Sequence, residues 1–207
     1  HLMEAAVAYY QATGKKRFLD LMCKYADYIE KRFKIDKDTD FVTPGHEEIE
    51  LALVKMYEVT GEKRYLELSK FFVDERGKKP EFLNDWCKES YHQSHKPVRE
   101  QSEAVGHAVR AVYLYSAMAD LALRYNDKSL LDACEKLFDD IELYKIREIK
   151  NAVDALRAQY PDAEAIAKID TDAEGDYIND SFTLWTTYDI MLGYTTALEG
   201  FEAENVA

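Results

Sequence analysis

Thr13-Gly14-Lys15-Lys16-Arg17-Phe18-Leu19 recurs as Thr60-Gly61-Glu62-Lys63-Arg64-Tyr65-Leu66, 47 residues further along, and more weakly as Asn126-Asp127-Lys128-Ser129-Leu130-Leu131. Gly14, Gly61 and Asn126 are residue types that accept the left-handed conformation closing a helix, so each copy predicts a reversal between two helices. Behind the reversals the apolar positions superimpose at helical spacing. Phe18, Leu21, Met22, Tyr25, Ala26 and Ile29 align with Tyr65, Leu68, Ser69, Phe72 and Val73, and with Leu130, Ala133, Cys134, Leu137, Phe138 and Ile141. These are one-sided helices.

The stretch before the third reversal, from Ala104 to Leu123, is apolar nearly all round, which predicts a helix over about 102–125 that is covered on most sides. Helices covered on most sides, alternating with one-sided helices in hairpins of about 50 residues, meet the requirement of a two-layered ring. The inner helices face their neighbours and the axis, and the outer helices shield them. The expected fold is therefore all-α, a partial (α/α) barrel built from helical hairpins.

Composition agrees with a folded domain. The chain has 207 residues, 47% of them hydrophobic and 13% aromatic, enough for a core. Its apolar runs fall far short of the roughly 20 residues of a membrane-spanning helix. The net charge of −13 argues against a nucleic-acid partner, which requires clustered Lys and Arg. Cys23, Cys87 and Cys134 are widely spaced and form no CxxC pair, which suits reduced thiols and a cytoplasmic setting. Cys23 and Cys134 fall on apolar helix faces, as core residues would.

Residues 142–207 carry 14 Asp and Glu against 5 Lys and Arg, a shift in charge that marks a junction near Ile141. Two regions are expected: 1–141, the repeated hairpins, and 142–207, a helical tail packed on the same domain. In the tail, helices are predicted over about 142–160 and 181–200. Between them Asp170, Asp172, Glu174, Gly175 and Asp176 have the spacing of the start of a calcium loop, but Ser181 stands where a bidentate Glu is expected. An acidic turn is the favoured reading.

The third hairpin is preceded by an insertion, Gly77 to Gln101, holding Trp86, Cys87, Tyr91, His92, His95 and Pro97. Long aromatic and His-rich connections are more often functional rims than filler. His92 and His95 have no Cys or acidic partner at zinc-ligand spacing, so no metal site is expected there. His46, after Thr43-Pro44-Gly45, is expected to open a helix and to stay neutral near its positive end. Glu47, Glu48 and Glu50 then read as first-turn acids complementing the helix dipole, and Ser102 with Glu103 reads as an N-cap and its first-turn acid. No GxSxG, P-loop or dinucleotide motif is present.

Three segments do carry a family signal. His1-Leu2-Met3-Glu4-Ala5-Ala6, Pro44-Gly45-His46-Glu47-Glu48-Ile49-Glu50-Leu51-Ala52-Leu53, and His95-Lys96-Pro97-Val98-Arg99-Glu100-Gln101 followed by Glu103-Ala104-Val105-Gly106-His107-Ala108-Val109-Arg110-Ala111 occur in that order. In order and spacing they resemble glycoside hydrolase family 127, the β-L-arabinofuranosidase family. The resemblance covers residues 1–141. It implies that His1, His46 and His107 point into a barrel and contact a terminal arabinofuranose. The helical register separately puts these three at one end of the inner helices, and the insertion that precedes the third inner helix puts His95 at the edge of that pocket. Neutral imidazoles suit hydroxyl-rich ligands.

The resemblance also implies chemistry from a cysteine nucleophile activated by zinc, which further cysteines and a glutamate hold, with another glutamate as acid/base. Those residues lie later in the family's chains. No cysteine follows Cys134, and no family motif is recognisable from Glu142 onward. The sequence therefore predicts a fragment of a glycoside hydrolase, opening at His1 within a helix, that keeps sugar-contacting residues but holds no catalytic residue and no cofactor of its own. The alternative is a non-catalytic helical-repeat module for binding or assembly.

Overall fold

The computed structural model describes residues 1–36, 42–79 and 89–145. Among the described residues the regular structure is helical, with no strand. Six α-helices form three hairpins: α1 (Leu2–Thr13) with α2 (Arg17–Glu30), α3 (Ile49–Thr60) with α4 (Lys63–Glu75), and α5 (Ala108–Tyr125) with α6 (Lys128–Asp139). All three hairpins turn where the repeat predicts. Gly14, Gly61 and Asn126 adopt left-handed conformations at φ 69°, 74° and 50°.

The two layers follow from the packing. α1 packs on α3 and α3 on α5, forming the inner layer, and each inner helix packs on the outer helix of its own hairpin. One cluster of buried side chains joins α1 to α4 through Met3, Leu19, Leu53, Met56, Tyr65 and Phe72. A second joins α5 and α6 to α3 and α4 through Leu114, Tyr115, Leu121, Leu130 and Cys134, with Val54, Leu66 and Val73. Each fully buried large side chain contributes about 1.5–3 kcal/mol relative to exposure. The partial (α/α) barrel is thus held by helix faces of the periodicity read in the sequence.

Four expectations are corrected. The helix of the third hairpin begins at Ala108, not near Ser102, and its N-cap residue is His107. Gly106 sits at φ 79°, which a helix cannot continue through, and a Cβ there would lie 2.0 Å from the backbone oxygen of Ser90. His107 N–H donates to Tyr91 O at 3.1 Å instead of entering a helical turn. Likewise α3 begins at Ile49, three residues after His46, so only Glu50 belongs to its first turn.

The carboxylates of Glu47 and Glu50 do not complement a dipole from the surface. Both are wholly buried and pair with Arg76. Finally, on α2 the side chains of Leu21 and Tyr25 are 58% and 50% exposed, and Cys23 is only half-buried, whereas Cys134 is fully buried as expected. The buried face of α2 is the stripe Leu19, Met22, Ala26 and Ile29, which packs on α1 and into the core shared with α3 and α4. The tail helix predicted over about 142–160 is described only as far as Lys145, in a π-helical turn over Asp140–Lys145, and the rest of it, the helix over about 181–200, Cys87, Trp86 and the acidic loop Asp170, Asp172, Glu174 and Asp176 lie outside the described residues. No described helix is long and apolar enough to cross a membrane.

Candidate functional site

The inner helices bring three of the four candidate histidines to one end. His1 is the N-cap residue of α1, His107 that of α5, and His46 lies just ahead of α3. His1 Nδ1 is 2.5 Å from Glu48 Oε1, and His46 Nδ1 is 3.8 Å from the other oxygen of the same carboxylate. The His46 ring meets the edge of Tyr113, on α5, with centroids 6.3 Å apart. His107 packs at right angles to Tyr91, centroids 5.5 Å apart.

Arg110 joins these segments. Its guanidinium lies over the Tyr91 ring, 5.0 Å from the centroid, and donates to Gly45 O in the turn before His46. Burial is the main cause that lowers the titration of both His46 and His107, and the Arg110 charge adds to it in each case. His46 also depresses His107, as neighbours in one site do. Both are therefore neutral near pH 7, each with one donor and one acceptor nitrogen. Neutrality at His46 was expected, but desolvation and Arg110 account for it rather than a helix terminus.

His95 stands apart from this group. It is half-buried in the insertion, and the charges that act on it are those of Lys96, Glu103 and Glu89. Burial lowers its titration first and Lys96 second. Gln93 stitches the insertion to the segment leading into α5, and Gln101 braces the insertion from within. Gln93 Nε2 donates to Val105 O at 2.8 Å, and Gln101 Nε2 donates to Gln93 O at 2.8 Å and Lys96 O at 2.9 Å.

His1 stands between two hollows. One, about 320 Å³, is lined by His1, Tyr25, Ile29, His46, Glu48 and Ile49. The other, about 500 Å³, runs along the groove between α1 and α3 past Glu4, Gln11, Lys55 and Glu58. Lys55 Nζ pairs with Glu4 Oε1 at 2.5 Å, and Arg124 pairs with Glu58 and Asp120, so a polar seam continues from α1 across α3 to α5. The hollows are large enough for a small sugar and offer the polar groups that hydroxyls require.

Arg76 is the residue that sequence reading missed. It closes α4 and is wholly buried, donating to Glu47 Oε1 (3.1 Å), Glu50 Oε1 (3.2 Å), Pro44 O (3.0 Å) and His92 O (3.1 Å). One guanidinium thus ties the turn carrying His46 to the insertion that supports His107. An Arg just before Gly77 resembles any helix-terminal cation in sequence, and only its partners distinguish it.

The described cysteines do not fit a thiolate-held zinc. Cys134 lies in the α5–α6 core and Cys23 beside the α1–α4 core. The one group of described His, Cys, Asp and Glu that could close around a cation is His1, Glu4 and Glu48, with ligand atoms within 4.8 Å of one another. It contains no cysteine, and Lys55 already occupies Glu4.

The sequence model of the GH127 β-L-arabinofuranosidase catalytic domain matches residues 1–146. A non-reducing end β-L-arabinofuranosidase of Bifidobacterium longum subsp. longum is 39% identical over 156 residues, 68% of this chain and 24% of the relative. The fold is similar to that of a GH127 β-L-arabinofuranosidase from Geobacillus stearothermophilus T6, with TM-score 0.64 and 52% identity, over 68% of this chain and 24% of that one. It is also similar to another solved GH127 β-arabinofuranosidase, with TM-score 0.62 and 49% identity, over 68% of this chain and 21% of that one. The chain therefore spans about a quarter of the length of these relatives. On the match of the catalytic-domain model to residues 1–146, the chain belongs to the GH127 β-L-arabinofuranosidase family.

Proposed function

We propose that this chain forms the histidine-bearing face of a β-L-arabinofuranoside site, binding the terminal sugar through His1, His46 and His107, with His95 at its margin. The observation that carries this reading is the convergence of His1, His46 and His107 at the N-terminal ends of three adjacent inner helices, with two of them held neutral by burial and Arg110. Neutral imidazoles both donate to and accept from hydroxyls, whereas a cationic site would favour anions.

The chain contributes recognition rather than bond cleavage. Retaining hydrolysis needs a nucleophile and a proton donor on either side of the glycosidic bond. Cys134 is sequestered in one core and Cys23 lies against the other, and neither lines the hollows beside the histidines. In this reading the thiolate, its zinc and the acid/base carboxyl come from parts of the parent enzyme that this chain does not contain.

The test is an assay of the chain alone against an aryl β-L-arabinofuranoside with added zinc. Turnover equal to that in buffer is expected. Zinc-dependent turnover that disappears in Cys87→Ser would overturn the reading by placing the nucleophile within this chain.

A further inference from the structure

Glu47, Glu48 and Glu50 lie in one short run of sequence, and the fold uses them differently. Arg76 holds Glu47 and Glu50 in a buried network. Glu48 is the N-cap residue of α3, yet its carboxylate makes no capping bond to that helix. Its main chain is fixed on both sides, since Glu48 N–H donates to Glu50 Oε2 at 3.1 Å and Glu48 O accepts from Ala52 N–H at 3.1 Å. The carboxylate is left in the wall of the hollow of about 320 Å³ that His1 and His46 also line. The side chain is only 10% exposed, and Glu48 Oε1 is buried with no hydrogen-bond partner. His1 Nδ1 comes within 2.5 Å of that oxygen without aligning for a hydrogen bond, and His46 Nδ1 stays 3.8 Å from the other. A buried acceptor without a donor is costly, and more so when it is charged, so the fold keeps one acceptor open toward the hollow.

The rest of the wall narrows the class of donor. Tyr25, Ile29 and Ile49 make one side of the hollow apolar, and burial and Arg110 keep His46 neutral. A ligand with an apolar face and a neutral O–H donor suits both, and a sugar ring carries its hydroxyls beside a C–H face. We propose that Glu48 is a specificity-determining residue of the sugar site: its carboxylate accepts a hydrogen bond from one hydroxyl of an arabinofuranose seated in the hollow between His1 and His46. The inference rests on the sugar-binding reading and deepens it by naming what the ligand must offer. A neutral imidazole can donate to a hydroxyl or to an ether oxygen, whereas a carboxylate only accepts. Glu48 therefore demands a free hydroxyl where the histidines do not, and a deoxy or O-methylated sugar leaves Oε1 unpaired. The bond it makes is charge-assisted, about twice as strong as one between neutral groups. A cation at His1, Glu4 and Glu48 is the competing use of the same atoms, and the Lys55 contact to Glu4 argues against it.

The experiment is an NMR titration of the whole chain, chelator-treated, with an aryl β-L-arabinofuranoside and with its monodeoxy analogues, each lacking one hydroxyl, read on the His46 and His107 imidazole signals. In the wild-type chain one analogue is expected to bind more weakly than the parent glycoside by about tenfold or more, the loss of a hydrogen bond to a charged group. Glu48→Met should weaken the parent glycoside by a similar factor. In that variant the same analogue should bind no more weakly than the parent, because the bond it lacks is already gone. Helical amide signals unchanged from wild type show that the variant is folded. Should Glu48→Met not fold, Glu48→Gln takes its place: its neutral carbonyl accepts less strongly, and the penalty for the missing hydroxyl must shrink. A folded Glu48 variant that binds the parent glycoside as wild type does, or that keeps the full penalty for every analogue, overturns the proposal and leaves the sugar-binding reading standing. A wild-type chain that binds none of these glycosides sinks both. Binding that appears only when zinc replaces the chelator, and is lost in Glu4→Gln, assigns Glu48 to a metal and overturns the proposal too.

Discussion

Arg76 Nη1 lies 3.1 Å from Glu47 Oε1, and neither side chain is reached by water. The same guanidinium also holds Glu50 and the backbone oxygens of Pro44 and His92, so the end of α4 organises both segments that lead to the histidines. Replacing Arg76 by Met leaves two carboxylates buried without their countercharge, a loss of about 3–5 kcal/mol. Arg99 bridges Asp74 and Asp127 at 2.6 and 2.7 Å but is 29% exposed, and an ion pair open to solvent is worth about 1 kcal/mol or less. Urea unfolding of Arg76→Met and Arg99→Met should therefore differ severalfold in lost stability. Equal losses would mean that the buried network is not the tie described.

Burial pushes the Glu47 carboxyl up to about 7 from its ordinary 4.5, against the opposing pull of Arg76. Unfolded, the group ionises near its ordinary value. Between these two pH values the folded chain therefore holds the extra proton, and stability falls as pH rises from about 4.5 to about 7, then levels. Glu47→Gln cannot ionise, so its stability should lack that decline. The check is the urea midpoint of each protein at about pH 5, near the lower end of the window, and at about pH 7.5, above it. Parallel changes in both proteins would show that Glu47 is not the group responsible.

Gly106 and Gly45 make a second pair of contrasting sites. A methyl group at Gly106 meets the Ser90 backbone and forces a side chain into φ 79°, whereas nothing lies within 4 Å of a Cβ at Gly45. Gly106→Ala should lose more than about 1 kcal/mol and shift the His107 imidazole signal, because the start of α5 must move. Gly45→Ala should stay within about 0.5 kcal/mol of wild type. A Gly106→Ala variant as stable as Gly45→Ala would show that the close approach to Ser90 is not required.

The hairpins were legible because their signals are local: a reversal residue and the apolar stripe behind it lie within about one helix of each other. Gly14, Gly61 and Asn126 needed no tertiary partner to be read. The start of α5 was not legible, because the reason it begins at Ala108 is the approach of Ser90 and Tyr91 to Gly106 and His107, a contact across the insertion. Glu47 and Glu50 were misread for the same reason. As a sequence they are first-turn acids, and only Arg76, 29 and 26 residues away, makes them a buried network. The histidines lay between these cases, since the helical register puts His1, His46 and His107 at one end, while the carboxylate that two of them share is a tertiary fact.

The most direct test of the account is titration of the nitrogen-labelled chain with an aryl β-L-arabinofuranoside while the imidazole signals are followed. The account predicts that His1, His46 and His107 shift together and saturably, that the corresponding D-enantiomer does not reproduce the shifts, and that no phenol is released. Imidazole signals that stay in place, or shifts that the two enantiomers cause equally, would contradict it.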